Sequence, residues 1–305
     1  MARLEDMESF VRVVETGSIS AAAERLGVAK SAVSRRLSEL EARLGAQLFR
    51  RTTRRLDLTD TGRGFYERCL RILSDTEEAE LAVSQAHGTL RGRLRVAVPL
   101  SFGLLHLGPA INDFMAAHPG LEFDLDLNDR QVDLLAEGFD VALRIADLED
   151  SSLIARRLAT MRTMVCASPE YLARAGTPQT PADLAAHCCL VYSNARDPAL
   201  WRFRDPQGDD KTIRVPVCMQ ANNGDFLRQA ASVGQGICML PTFIAYRAIQ
   251  DGSLCPILTN YTWPAFNAYA VYPRTRHLSQ RVRVFVDFLA ERFGGVPYWD
   301  AHLRI

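Results

Sequence analysis

Four basic side chains, Lys30, Arg35, Arg36 and Arg43, punctuate the stretch "LGVAKSAVSRRLSELEARLG" (Leu26–Gly45) among evenly spaced aliphatics. Arg50, Arg51, Arg54, Arg55 and Arg63 follow, so Lys30–Arg63 holds nine Lys/Arg against four Asp/Glu, a net of +5. The whole chain of 305 residues carries 36 charges of each sign and no formal net charge. A local basic block on a neutral chain suits a module that meets a polyanion beside another that does not.

Whether those bases form more than a solvated surface depends on the residues between them. At 100° per residue, Leu37, Leu40 and Leu44 each fall within about 40° of Val33, which is the apolar stripe of a buried helix. The opposite side carries Ser31, Ser34, Arg35, Ser38 and Ala42. Solvated faces favour Glu, Lys and Gln, whereas this one has short side chains around a single Arg. Short residues let a backbone approach closely, and an Arg among them can reach the O6/N7 edge of guanine in a major groove. Arg36, at about 300° from Val33, sits where it could reach a phosphate; Arg43, at about 280°, lies off the face and is predicted to matter little.

The elements that must hold this face follow from the flanking sequence. "LEDMESFVRVVETG" places Leu4, Met7, Phe10, Val11 and Val14 at helical spacing and stops at Gly17; "SISAAAERLG" starts at Ser18 or Ser20 and ends at Gly27. A third helix from Lys30 to Leu44, closed by Gly45, completes a helix-turn-helix. "LFRRTTRRLDLTDTG" predicts a short hairpin, a wing bearing Arg50, Arg51, Thr52, Thr53, Arg54 and Arg55 toward phosphates or the minor groove. From a cap at Thr59 or Thr61, the residues Phe65, Cys69, Ile72, Thr76, Ala79 and Val83 form a heptad seam with Glu67, Arg71, Asp75 and Glu78 opposite. A narrow stripe on so long a helix predicts pairing with a partner helix.

"HGTLRGRLRV" predicts a hinge, after which strands and helices alternate: "LRVAVP", "LEFDLDL", "FDVALRI" and "RTMVCAS" as strands, with helices between them. That alternation predicts a parallel sheet with helices on its faces. Beyond Pro169, "LVYSN", "WRFRD", "TIRVPVCMQ", "GICMLP" and "AFNAYAVYP" are further strands, and "NGDFLRQAASVG", "PTFIAYRAIQDG" and "LSQRVRVFVDFLAERFG" are helices.

Catalytic chemistry finds little support. Ser101, His106, His118 and Cys166 could be nominated, but no G-x-S-x-G, H-E-x-x-H, P-loop or G-x-G-x-x-G accompanies them. Seven cysteines, without a C-x-x-C pair or a His/Cys cluster at zinc spacing, predict free and mostly buried thiols and no metal or cofactor. The N-terminus "MARLEDMESFVRVV" has acids where a secretory signal needs an apolar run, and no stretch is long enough to span a bilayer. The expectation is a soluble, cytoplasmic protein without a membrane partner. A solute-binding protein for transport would carry a signal peptide and have no use for Arg35 or the wing.

Residues 4–63, with "SISAAAERLGVAKSAVSRRLSELEARLGAQLFRRTTRRLDLTDTG", resemble the DNA-binding domain of LysR-type transcriptional regulators. The resemblance continues through "DRQVDLLAEGFDVALRIADLEDSSLIARRL" and "ANNGDFLRQAASVGQGICMLP" and so covers nearly the whole chain. It implies an all-α winged helix-turn-helix DNA-binding domain with a long linker helix, plus an α/β periplasmic-binding-protein-like effector domain of two subdomains. The corresponding boundaries are 1–60 for the DNA-binding domain, 61–87 for the dimerising linker helix, 88–92 for the hinge and 93–305 for the effector domain. Within the last, subdomain I covers about 93–165 and 268–305, and subdomain II about 166–267.

The implied activity is sequence-specific DNA binding by a homodimer or homotetramer, modulated by a small effector, with RNA polymerase as a further partner. DNA contacts fall on Lys30, Ser31, Ser34, Arg35, Arg36 and Ser38, and on Arg50, Arg51, Thr53, Arg54 and Arg55 of the wing. The chain departs from the family at "AKS" (29–31), where Ala29 cannot cap and Lys30 replaces an amide that could read adenine. Effector contacts fall on Ser101, Phe102, Arg144, Ile145, Ser168, Asn194, Asn222, Asn223 and Gly224. Hydroxyls, amides and N–H groups near a helix start can hold a carboxylate, and Phe102, Tyr192 and Trp201 suggest an aromatic or partly apolar ligand. Each also has a local reading: Ser101 as a helix cap, Asn222 as a turn residue, Arg144 as the partner of Asp147 or Glu149.

Overall fold

The computed structural model describes residues 3–51, 56–84, 90–130, 132–146, 153–274, 278–301 and 303. Three helices open the chain: α1 (Leu4–Thr16), α2 (Ile19–Leu26) and α3 (Lys30–Leu44). Each ends on a glycine in the left-handed region, Gly17, Gly27 and Gly45, which lets the backbone reverse without a Cβ penalty. Ser18 caps α2 by accepting from Ala21 N, whereas α3 starts after Ala29 with no side-chain cap. Phe10, Val13, Val33, Leu37, Leu40 and Leu48 form the core of this bundle. Leu44 does not join it: the last residue before the turn at Gly45, it is 40% exposed, contrary to the expected stripe.

The hairpin β1 (Phe49–Arg51) and β2 (Leu56–Leu58) pairs antiparallel, and Thr59 then caps α4 (Asp60–Ser84) by accepting from Gly62 N at 2.9 Å. Gly62 is required there, since a Cβ would lie 2.1 Å from the Leu48 carbonyl oxygen. The first two seam positions of α4, Phe65 and Cys69, pack into the bundle core, with Phe65 5.4 Å from Phe10. They are therefore used within the chain; Ile72 is the first seam residue left exposed. The side chains of Ala79 and Val83 lie outside the described residues.

The remaining strands are β3 (Gly92–Val98), β4 (Leu121–Leu127), β5 (Val141–Ile145), β6 (Leu153–Ala167), β7 (Cys189–Tyr192), β8 (Leu200–Arg204), β9 (Asp210–Arg214), β10 (Val217–Ala221), β11 (Ile237–Pro241), β12 (Cys255–Ile257) and β13 (Ala265–Pro273). Between them run α5 (Leu100–Phe102), a π turn (Gly103–Leu107), α6 (Gly108–Ala117), α7 (Leu134–Glu137), α8 (Pro169–Ala175), a 3-10 turn (Pro181–Ala186), α9 (Gly224–Ser232) and α10 (Thr242–Gln250), with α11 (Gln280–Phe293) last. The large sheet has the order β10-β7-β11-β6-β13-β5-β3-β4, and β12 adds to β6.

This sheet is mixed, where the alternating pattern predicts a parallel one. Pairs β3·β5 and β7·β10·β11 are parallel, but β6 and β13 run antiparallel to each other and to their other neighbours. The reason is that β6 serves both halves: Leu153–Arg162 pairs with β13, and Thr163–Ala167 with β11 and β12. The sequence pattern shows only its buried end, because Arg156 and Arg157 on the exposed half interrupt the apolar run. "TIRVPVCMQ" is two strands, broken at Pro216, which has no N–H to continue a ladder.

Contacts divide the chain into two compact units, one of residues 1–95, 118–124 and 132–140, the other of 96–117, 125–131 and 141–305. In the first, Arg93 bridges Glu15 of α1 and Asp124 of β4. In the second, Cys188 and Cys218 form a disulfide, contrary to the expected free thiols, because β7 and β10 bring residues 30 apart in sequence side by side. Cys69, Cys166, Cys189 and Cys238 are buried thiols, and Cys255 a half-buried one. Among the described residues no helix is long and apolar enough to cross a membrane, and no His/Cys/Asp/Glu group could hold a metal.

Candidate nucleic-acid interface and effector pocket

The exposed side of α3 is the one whose side chains are short. Lys30, Ser31 and Ser38 are exposed, Ser34 is half-exposed, and the Arg35 side chain is 75% exposed, with Glu39 the carboxylate near its guanidinium at 3.8 Å among the described residues. The Ser38 hydroxyl donates to the Ser34 carbonyl at 3.1 Å. A surface ion pair of the Arg35–Glu39 kind is worth little, so this guanidinium is available to a stronger partner.

The other two bases of α3 are already engaged. Arg36 donates to the Glu5 carboxylate at 2.7 Å and to Ser9 Oγ at 3.3 Å, tying α3 to α1. Arg43 pairs with Asp6, whose side chain is only 6% exposed and also accepts from the Arg3 backbone N–H. The expectation that Arg43 matters little is thereby corrected, for it is the counter-charge of a buried carboxylate. Glu41, which the sequence reading passes over, receives the Leu48 and Phe49 N–H groups at 2.8 and 3.1 Å and fixes where the wing begins. Arg50 is exposed on β1. Thr53, Arg54, Arg55 and the side chain of Arg51 lie outside the described residues.

In the second unit, a cavity of about 800 Å³ is lined by Ser193, Asn194, Gln220, Ala221, Asn222, Asn223 and Phe226, a size within the usual range of small-molecule sites. It is built from the ends of two strands and the helix that follows. β7 delivers Ser193 and Asn194, β10 delivers Gln220 to Asn222, and Asn223 caps α9 by accepting from Phe226 N at 2.9 Å. The Asn223 amide reaches across to Ser101 Oγ at 3.5 Å, and Asn194 donates to the Tyr192 hydroxyl at 3.3 Å. Near Ser101, Asp129 accepts from Leu100 N at 3.0 Å; burial pushes its carboxyl above the usual range, and the Asp225 charge adds to that shift. Burial likewise raises the Tyr192 phenol.

The structure thus gathers Ser101, Asn194, Asn222 and Asn223. Gly224 opens α9 where a Cβ would lie 2.5 Å from Ile244 Cδ1, so its role is close approach. Other predicted contacts are placed elsewhere. Phe102 is buried in an aromatic cluster with His106, Phe243, Phe293 and Trp299. Ser168 is buried and caps α8 through Tyr171 N. Arg144 and Ile145 stand on β5 opposite Tyr269 and Ala268, and Asp147 and Glu149 lie outside the described residues. Trp201 packs on Trp263 in a separate core. The sequence reading did not select Ser193, Gln220 or Phe226. Phe226 leaves a signal: it is 54% exposed on a helix that buries Leu227 and Ala231.

Two family models match this chain. The model of the bacterial regulatory helix-turn-helix protein, lysR family, matches residues 4–63, and that of the LysR substrate binding domain matches 87–294. An uncharacterized HTH-type transcriptional regulator of Haemophilus influenzae is 39% identical over 92% of this chain and 98% of its own. The structure of CrgA, a LysR-type transcriptional regulator from Neisseria meningitidis, superposes with a TM-score of 0.63 at 37% identity, covering 95% of this chain and 99% of that one. The full-length Vibrio cholerae virulence activator AphB gives 0.62 at 27% identity, with 95% and 99% covered.

Proposed function

We propose that this chain, which belongs to the LysR family of DNA-binding transcriptional regulators, reads its operator through Arg35 and the short side chains around it. The single observation behind this reading is the exposed α3 face itself: Ser31, Ser34 and Ser38 flank a guanidinium whose ion partner among the described residues is Glu39, at 3.8 Å on the surface. Lys30 and Arg50 supply phosphate contacts, with Arg51, Thr53, Arg54 and Arg55 completing the wing. Arg36 steadies α3 against α1 and reaches the backbone from there.

Each half-site is read by one α3, and pairing of α4 between copies sets the spacing of the two half-sites. A dimer or tetramer is the working form, in the cytoplasm, with RNA polymerase as its partner at the promoter. A small molecule bound over Asn194, Asn222, Asn223 and Ser101 shifts the balance of two quaternary arrangements.

The test starts from genomic fragments retained by the protein, footprinted to locate the operator. Affinity for that operator falls steeply with salt, because phosphate contacts release counterions. Affinity indifferent to both salt and sequence overturns the DNA reading. Titrating small organic acids and aromatic compounds while following DNA bending tests the effector; no coupling with any of them leaves a constitutive regulator.

A further inference from the structure

The Cys188–Cys218 disulfide joins the two strands that end in the pocket. Cys188 immediately precedes β7, whose far end delivers Ser193 and Asn194; Cys218 lies on β10, whose far end delivers Gln220, Ala221 and Asn222. The two cysteines are not equivalent. Cys188 is half-buried, and its backbone is held on both sides, donating to the Tyr171 hydroxyl at 3.0 Å and accepting from Ile237 N at 2.8 Å. Cys218 is exposed on the terminal strand of the sheet, whose one ladder neighbour is β7. The β7·β10 register shifts between Val217 and Met219, so Cys218 is the residue that falls out of the ladder. Besides the sulfur bridge, β10 is held by an interrupted parallel ladder to β7 and by the packing of Met219 and Ala221 against the core.

We infer that Cys188 and Cys218 are a reversible oxidation site, at which bond formation locks β10 to β7 and sets the position of the pocket wall at Asn222 and Asn223. The oxidant is a hydroperoxide. The Cys218 thiolate attacks its terminal oxygen, the O–O bond breaks, an alcohol or water leaves, and Cys218 becomes a sulfenic acid. The Cys188 thiolate then attacks that sulfur, the S–S bond forms, the S–O bond breaks, and hydroxide leaves as water. In sum two thiols and one hydroperoxide give one disulfide, one alcohol and one water. A thiol reductant reverses the reaction by exchange through the exposed Cys218 sulfur.

Selectivity follows from exposure. Cys69, Cys166, Cys189 and Cys238 are buried. Burial pushes the Cys69 and Cys189 thiols up to about 12, and the adjacent Cys166 raises that of Cys238. Cys69, Cys189 and Cys238 are thereby held as neutral thiols, and the thiolate is the reactive form.

The site does not need the effector reading to be correct; only its consequence for ligand binding rests on it. The test therefore uses the full chain without any added ligand. Reduced protein is treated with hydrogen peroxide, mapped by non-reducing peptide mass spectrometry, and followed by amide hydrogen exchange. The expected product is the crosslinked Cys188–Cys218 peptide, lost on adding dithiothreitol, with exchange over 189–194 and 217–223 slowed about tenfold in the oxidised form. Cys218→Ser, a change at an exposed position, abolishes both effects, while Cys255→Ser leaves them intact. Peroxide reacting first at Cys255, a crosslink that forms without slowing exchange, or slowing that persists in Cys218→Ser each overturns the inference.

Discussion

The exposed face of α3 and the cavity at the ends of β7 and β10 both lie open to a ligand, yet they are made of opposite materials. The α3 face offers cations, Lys30 and Arg35, among hydroxyls. The cavity offers amides and hydroxyls, and two ionisable groups close to it, Asp129 and Tyr192, are pushed by burial toward their neutral forms. A polyanion is recognised first by charge, which acts at a distance and is screened by salt. A small molecule in a cavity is recognised by hydrogen bonds at fixed distances, which salt leaves largely alone. The two surfaces therefore answer to different experimental variables.

The largest effect that sharpens this contrast concerns His106, beside Ser101 and Phe102 in the second unit. Its Nε2–H donates to the Phe243 carbonyl at 2.9 Å and its Nδ1 accepts from the Tyr298 hydroxyl, a neutral tautomer. Burial pushes the imidazole down to about 4. An unfolded histidine titrates near 6.5, so the stabilisation is fully present above that pH. It is lost as pH falls from 6.5 toward 4, by about 3 kcal/mol. Urea unfolding of the wild type against His106→Phe should show a difference that grows over that window; a pH-independent difference would show that His106 is not held neutral.

Next in size, Arg43→Ala should destabilise the DNA-binding unit by about 2 kcal/mol, since it strands the buried Asp6 carboxylate. Unfolding of this variant at wild-type stability would return Arg43 to the status of a surface charge. Arg35→Ala should cost about tenfold in discrimination between operator and non-operator DNA, with unfolding unchanged. Arg50→Ala should weaken both DNAs alike and lower the salt slope by about one. If Arg35→Ala changed only the salt slope, the two bases would be interchangeable and direct readout by α3 would fail. Smallest in stability, Asn223→Ala removes the α9 cap at a cost of about 1 kcal/mol and should abolish the response to effector while leaving DNA affinity intact. An unchanged effector response moves the site away from this cavity.

Much of the first unit was legible because it is local. Helices α1 to α3 are bounded by a cap at Ser18 and by Gly17, Gly27 and Gly45, and each signal acts within one turn of the residue that carries it. The fate of Arg43 was not legible, because Asp6 lies 37 residues away and only packing of α1 on α3 brings the two together. The same holds for Cys188 and Cys218. In the cavity, Asn194, Asn222 and Asn223 stood out as polar residues at strand and helix ends, whereas Gln220 and Ser193 look like any exposed strand residue. Phe102 and Trp201 misled, since an aromatic side chain looks the same in sequence whether it lines a ligand site or fills a core.

The sequence by itself determined the elements and their faces: a helix with a serine-rich side around Arg35, a hairpin, a long helix with a narrow stripe, and an α/β remainder. Helical and strand periodicities are properties of neighbouring residues, and so are caps and glycine stops. Tertiary structure alone decided which charges on α3 remain available, that β6 serves two halves of a mixed sheet, and which strand ends meet around a cavity. Those outcomes depend on contacts between residues far apart in the chain, and no local pattern records which distant partner burial will select.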